Sequence, residues 1–480
     1  MIAVFDIGTS AIKCVILDKN QSVMYTAKKE ITTIYKENFI EQDPDEWYEA
    51  FCTILHDYHK ETQKVQNITS ITFSGQMQDV ICIDKEGNSV RPVIMYNDQR
   101  GMPYLHMIPQ AIATKTTVEM NGTIPLLKIL WLKEHEKENY NSTYKILNSA
   151  KDYIIGKLTD TFISDVTSLS TSGMLSIKEK AYVEELSTLG INTSILPKIY
   201  YADEIVGNVT PKASAETLLS QKVEVYAGCG DAGATTLASG IINNGELNIN
   251  LGTSGWIASI SKTTRQGVFN LAAINRDSYI NVIPILNAGS VHKWITHLLF
   301  PNDTDPYQKL HTLLCTSTNI QTKLLCLPYL VGERFPVADN SIRGSFLGLE
   351  GNTSHRDLAI SALEGVAFSL KQGLEKLEVN PTKISLIGGG AKESVWNQIF
   401  ANIFNITITV FPDSEYLPSI ALASSILLGM GKISSYQEYI DSLLIKQGCE
   451  RYTPQIDKGK YYQEKYEKFK QLYPSTTSLF

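Results

Sequence analysis

Val4–Leu17 reads VFDIGTSAIKCVIL, and Ile249–Ile260 reads INLGTSGWIASI. In both, apolar and β-branched residues flank a Gly-Thr-Ser turn: Gly8, Thr9 and Ser10 in the first, Gly252, Thr253 and Ser254 in the second. This is the pattern of two strands joined by a tight turn of small residues, over 2–5 and 12–17 and again over 247–251 and 255–260. Two copies half a chain apart predict duplication of a whole domain, since the period is too long for a solenoid. Backbone N–H groups and hydroxyls around such a turn suit phosphate oxygens, and two facing turns can grip a polyphosphate from both sides. The copies differ at one telling position, where Asp6 in the first becomes Asn250 in the second.

The remaining sequence supports two large domains. At 480 residues the chain exceeds one ordinary core. Its 43% hydrophobic and 19% charged residues are those of a soluble globular protein. A net charge of −7 gives no footprint for nucleic acid or for an anionic membrane. The seven cysteines form no CxxC pair, so the expectation is reduced, mostly buried thiols in a cytoplasmic protein. The apolar N-terminal run is cut by Asp6, unlike a signal peptide, and no stretch of about 18 apolar residues is present.

Helical patterns are predicted over Asp43–Lys60, from a Ser354/Asp357 capping box to about Leu377, and over Glu393–Phe404; strands are predicted at Ser70–Ser74, within GQMQDVICID and at ISLIGGG and ITITVF. Strands alternate with helices in both halves, which makes the class α/β. The join is expected near Ile241–Gly245, giving domains 1–242 and 243–480. The C-terminal DKGKYYQEKYEKFKQLY is expected to be an exposed amphipathic helix closing the second domain, with no assigned partner.

Between the two turns, GCGDAGATTLASGI sets Asp231 among glycines and alanines, which allow close substrate approach and offer the carboxylate no neighbouring cation. Beside two phosphate turns, Asp231 is placed as a base; alone, it would read as an ordinary turn residue. The eight histidines show no metal-ligand spacing, and His135 and His355 read as solvated or capping.

The chain resembles the FGGY family of carbohydrate kinases, of the actin/hexokinase/Hsp70 superfold, over essentially its whole length. GSFLGLEGNTSHRDLAISALE, Gly344–Glu364, fits the second family signature throughout. IPLLKILWLKE, Ile124–Glu134, nearly meets the first, with Pro125, Lys128 and Trp131 in place and Thr123 departing at its opening. SGQMQDV, YNDQR, LPYLVGERFP and GGGAKESVWNQ follow in family order. The resemblance implies two ribonuclease-H-like domains with a catalytic cleft between them, ATP and Mg²⁺ as cofactors, a small sugar as substrate, and no nucleic-acid or membrane partner; a homodimer is left open. It implies Asp231 as catalytic base, and Asp6 and Asp231 around the metal, Asp6 through water. Thr9, Lys13, Gly252, Thr253, Gly289, Lys293, Gly389, Gly390 and Ser394 match the nucleotide site, and Gln76, Met77, Gln78, Asn97, Asp98 and Arg100 the sugar side.

Within the family, SGQM, TIPLLKILW and the length are most similar to the branch that phosphorylates D-xylulose at its terminal hydroxyl. The gluconate branch comes next, with other ketoses and polyols behind. Gln78 stands where that first branch usually has histidine, Tyr96 where the family has tryptophan, and Leu417–Ser424 (LPSIALAS) replaces a Gly-Ala-Ala motif. A nucleotide-switched ATPase would share the duplicated turns but would not need the GQM and NDQR segments.

Overall fold

A computed structural model describes residues 1–36, 39–317, 321–411 and 415–480. By packing, the chain forms two compact units: Met1–Ile242 with Lys262–Tyr279 and Ser414–Leu443, and Asn243–Ser261 with Ile280–Asp413 and Leu444–Phe480. The sequence alone assigned all of 243–480 to one domain, whereas 262–279 and 414–443 pack with the first unit. The physical reason lies in the helix Leu417–Gly429, LPSIALASSILLG, which is apolar around most of its circumference and buried over most of its length. Such a helix must be covered on several sides. It packs on the strands Ile2–Ile7 and Ser70–Gly75 and on the helix Asp231–Ala238.

In the first unit the main sheet runs in the order Ile205–Asn208, Glu224–Tyr226, Ser70–Gly75, Ile2–Ile7, Ala11–Leu17, Val23–Glu30, and the short strand Cys229–Gly230 also pairs with Ser70–Gly75. Ile2–Ile7 pairs antiparallel with Ala11–Leu17, setting Asp6 opposite Lys13, and parallel with Ser70–Gly75, setting Asp6 opposite Ser74. The segment after Gly75 forms the expected strand, Met77–Ile83, but in a different sheet, where it pairs with Lys145–Ser149 and Val93–Ile94. Gln78, at φ +65, lies at that departure.

The helix Pro44–Thr62 starts on an Asp43 cap that accepts the Asp45 N–H. Trp47, Phe51, Ile54, Leu55 and Tyr58 recur at helical spacing and are all buried against the sheet. The Phe51 ring lies 4.6 Å from that of Phe5 and 5.9 Å from that of Phe73, centroid to centroid.

The second unit repeats the central motif. Its strands lie in the order Tyr279–Ile285, Gly255–Ser261, Glu246–Leu251, Lys383–Ile387, Ile408–Val410, Glu450–Tyr452. As in the first unit, the leading strand of the hairpin, Glu246–Leu251, pairs antiparallel with its partner and parallel with a later strand. The helix His355–Leu377 begins with the complete Ser354/Asp357 capping box. The C-terminal helix Gly459–Thr476 is amphipathic, but less exposed than its composition suggests. Tyr462, Tyr466, Phe469 and Leu472 are buried, with Tyr462, Tyr466 and Phe469 around Phe368. Lys465, also buried, donates to Glu364. Among the described residues no helix is long and apolar enough to cross a membrane.

Because Phe51 is fully enclosed by aromatic neighbours, truncation leaves a cavity as well as losing apolar burial. Phe51→Ala is expected to destabilise the first unit by about 3–5 kcal/mol, read from the shift in its urea-unfolding midpoint.

Candidate active site

The first turn is held from below by a network of amides. Thr9 Oγ1 donates to Gln76 Oε1 at 2.8 Å, Gln42 Nε2 donates to the Thr9 carbonyl at 2.7 Å, and Gln76 Nε2 and Trp47 Nε1 both donate to Gln42 Oε1. Gln76, expected on the sugar side, therefore has both ends of its amide engaged in supporting the turn. Gln42 and Trp47 escaped the sequence analysis because nothing in a lone Gln-Asp-Pro stretch marks a contact with a turn more than thirty residues earlier. Ser74 Oγ donates to Asp6 Oδ1 at 2.7 Å. Lys13, opposite Asp6 in register, lies 3.7 Å from Glu415.

Asp231 opens the helix Asp231–Ala238, and its Oδ1 accepts the Ala232 N–H at 2.7 Å. The side chain is reached by solvent, yet protein surrounds it closely enough that burial pushes its pKa up to about 7, with the Asp6 charge as the second cause and Asp165 a smaller one. Gly230 is required just before it, since a Cβ there would sit on the Met77 thioether. Asp165 gave no strong sequence signal beyond the helix-capping pattern Asp-Val-Thr-Ser. It caps a short helix through the N–H groups of Thr167 and Ser168 and lies 2.9 Å from the buried Lys151 Nζ, which also bonds Asp152 at 2.6 Å.

Of the other sugar-side candidates, Met77 is buried against Gly230, Gln78 donates to the Thr171 carbonyl at 3.2 Å, and Asn97 is exposed. Asp98 and Arg100 are enclosed. The Asp98 carboxylate accepts from Ile40 N and from Arg100 N, Nε and Nη2, all within 2.9 Å. Arg100 also reaches Glu41, and its guanidinium lies 4.2 Å from the Phe39 ring and 4.8 Å from that of Trp131. Its Nη1 is buried with no hydrogen-bond partner among the described residues. Lys128, a family-signature residue with no role assigned from sequence, ties these segments together, donating to the carbonyls of Gln78, Met95 and Tyr96. Burial is the main cause that brings its pKa down to about 7, against the opposing pull of Asp79.

In the second unit, Gly252, Thr253, Gly289, Lys293, Gly389 and Gly390 all line one cavity of about 800 Å³. Ser394 faces a separate pocket of about 240 Å³ with Gly388, Lys392 and Val410. The helix Gly289–Leu299 is stitched to the turn, with Gly289 N donating to the Gly252 carbonyl at 2.8 Å and Ser290 N to that of Thr253 at 2.9 Å. The first N–H groups of this helix are thus taken up by the turn, and Lys293 with the positive end of the helix dipole makes this wall favourable to anions. Behind it, the buried Glu333 accepts from the N–H groups of Leu286, Asn287 and Arg334 and from the Asn287 side chain. The sequence analysis had quoted Glu333 within VGERFP without giving it a task.

Two family models match, the N-terminal domain of the FGGY family of carbohydrate kinases over residues 1–238 and its C-terminal domain over 247–417. The chain therefore belongs to the FGGY family of carbohydrate kinases, ATP-dependent sugar kinases with an actin-like two-domain α/β fold. Within that class it is similar to xylulose kinases: it is 31% identical to the xylulose kinase of Staphylococcus xylosus, covering 98% of both chains. The gluconokinase of Bacillus subtilis (strain 168) is 28% identical over 95% of this chain and 92% of that one. A ligand-bound xylulose kinase structure from Lactobacillus acidophilus superposes with a TM-score of 0.87 at 25% identity, covering 99% of each chain.

A Cβ at Gly289 would collide with the Gly252 carbonyl and part the helix from the turn. Gly289→Ala is expected to weaken ATP binding by at least about tenfold, or about 1.4 kcal/mol, in calorimetric titration, with the circular-dichroism spectrum unchanged.

Proposed function

We propose that the protein transfers the γ-phosphoryl group of ATP to the terminal hydroxyl of D-xylulose, with Asp231 as the general base. The observation that carries this reading is the surroundings of Asp231. Its carboxylate is accessible to a substrate, held by one backbone N–H, and raised in proton affinity by burial and by Asp6, which suits a group that must take a hydroxyl proton near neutral pH. The identity of the sugar is supported by the similarity to xylulose kinases and by the GQM and NDQR segments.

In this reading the sugar is oriented in the first unit. Met77, Gln78 and Asn97 supply apolar contact and hydrogen bonds, while Asp98, Arg100, Gln76 and Lys128 hold these segments in place. The turn at Gly8–Ser10, with Lys13, binds phosphate on the same unit. In the second unit the turn at Gly252–Thr253, Gly289, Lys293 and the glycines at 389 and 390 bind the nucleotide, with Ser394 at the edge of that region. Asp231 takes the proton as the hydroxyl oxygen attacks, and alignment with charge stabilisation does most of the rest, because phosphoryl transfer needs little covalent work from the protein.

Asp6 and Asp231 fit a magnesium ion. They are hard oxygen donors, near enough for one to raise the other's pKa, and neither is in an ion pair among the described residues. Among those residues there is no cluster of three or more His, Cys, Asp or Glu placed to cage a metal, which agrees with an ion held by one or two carboxylates, water and phosphate. When bound, Mg²⁺ would neutralise charge on the transferring phosphate.

The test is a coupled ADP-release screen against xylulose, ribulose, xylitol, gluconate, glycerol, fuculose and rhamnulose, with xylulose expected to give the highest kcat/KM. Stimulation by gluconate alone would move the assignment to the gluconate branch, and no stimulation by any sugar would remove the kinase reading. Asp231→Asn is expected to lower kcat by about 10²- to 10⁴-fold while ATP affinity stays within about twofold. Turnover near that of the unaltered protein would take Asp231 out of the mechanism.

A further inference from the structure

One wall of the second unit's cavity carries reactive chemistry that phosphoryl transfer leaves unused. The helix Pro306–Leu314 ends at Cys315, one turn beyond His311. Cys315 Sγ lies 3.6 Å from His311 Nε2, and His311 Nδ1 lies 3.1 Å from Glu393 Oε1 and 3.3 Å from Oε2. A carboxylate can only accept, so Nδ1 bears the hydrogen facing Glu393. In the neutral ring, Nε2 is then the lone-pair nitrogen facing the thiol. Glu393 is itself anchored, being 6% exposed and accepting the Val395 N–H at the start of the helix Ser394–Phe404. Nucleophile, base and orienting carboxylate thus stand in sequence.

The other cysteines are built differently. Cys14, Cys82, Cys229 and Cys326 are buried, and burial pushes the Cys82 thiol up to about 11 and that of Cys326 up to about 12. Cys52 and Cys449 are half-buried; Cys315 is the exposed one of the seven. His311 and Glu393 both line the cavity of about 800 Å³ that also contains Thr253, Gly289 and Lys293.

We propose that Cys315, served by His311 and Glu393, is a thiol–disulfide exchange site for low-molecular-weight disulfides, and that the mixed disulfide formed there closes the adjoining cavity to nucleotide. The second clause rests on the reading of that cavity as the nucleotide site. In the exchange, the Cys315 proton passes to His311 Nε2 as the sulfur attacks the near sulfur of the disulfide. A new S–S bond forms, the old one breaks, and the leaving thiolate takes the proton back from His311. Cys315 is oxidised, half of the disulfide is reduced to thiol, and no other reactant is needed. The bound half extends from a sulfur 3.6 Å from His311 Nε2, whose residue lines the cavity.

The experiment treats the intact protein with oxidised glutathione and follows adducts by mass spectrometry with peptide mapping. Cys315 is expected to be modified first, at least about tenfold faster in the folded protein than in the same chain unfolded in urea. His311→Gln is expected to remove that excess rate, and Cys315→Ser to remove the adduct while retaining ATP binding. The modified protein should bind ATP at least about tenfold more weakly by calorimetry, with full recovery on adding dithiothreitol. A folded-state rate no greater than the unfolded one, an unchanged rate in His311→Gln, or an adduct that leaves ATP affinity intact would each overturn the proposal. Exchange is measured without sugar, so its failure is separate from that of the kinase reading, which ADP release decides.

Discussion

Like charges brought close together have to be held there, and much of the first unit is arranged to hold Asp6 and Asp231. Asp6 is fixed by two strand pairings and the Ser74 hydroxyl. Asp231 is fixed at a helix start by its own N–H bond, with a glycine before it that lets the Met77 strand approach. Asp165 is compensated by Lys151 and three hydrogen bonds, so its charge is already satisfied. The Asp6 and Asp231 pair has no cation partner among the described residues, and its mutual repulsion adds to the burial that raises the Asp231 pKa.

The second unit repeats the hairpin without the carboxylate. Its hairpin has the same pairings as the first, but Asn250 occupies the position of Asp6. The buried Glu333 accepts from four N–H donors and thereby sets the loop that starts the Gly289 helix.

The local signals were legible in the sequence: both hairpins, the Ser354 capping box, the helix after Asp43 and the small-residue turns are short-range patterns, and each forms over the expected residues. Placement was less legible. LPSIALASSILLG states that it must be buried but not on which sheet, because a helix without a polar face carries no orientation. GQMQDVICID reads as a strand whichever sheet it joins. The site was legible where the chain is glycine-rich and illegible where a side chain acts across a long separation, as Gln42 does on Thr9 or Lys128 on three carbonyls. Asp98 and Arg100 were visible as a motif, yet only three-dimensional packing reveals that they bond chiefly to each other.

The return of the 417–429 helix to the first unit has a consequence for the order of synthesis. Four strands of the sheet that carries Asp6 are translated within the first 75 residues, but the apolar helix that covers Ile2–Ile7 and Ser70–Gly75 emerges only after almost the whole chain has been made. Until then the nascent protein carries an uncovered hydrophobic face, the kind of surface on which chaperones act and which drives association. A gene cut at the apparent border near residue 242 would yield a fragment with that face permanently open, so residues 1–242 do not make a closed folding unit by themselves.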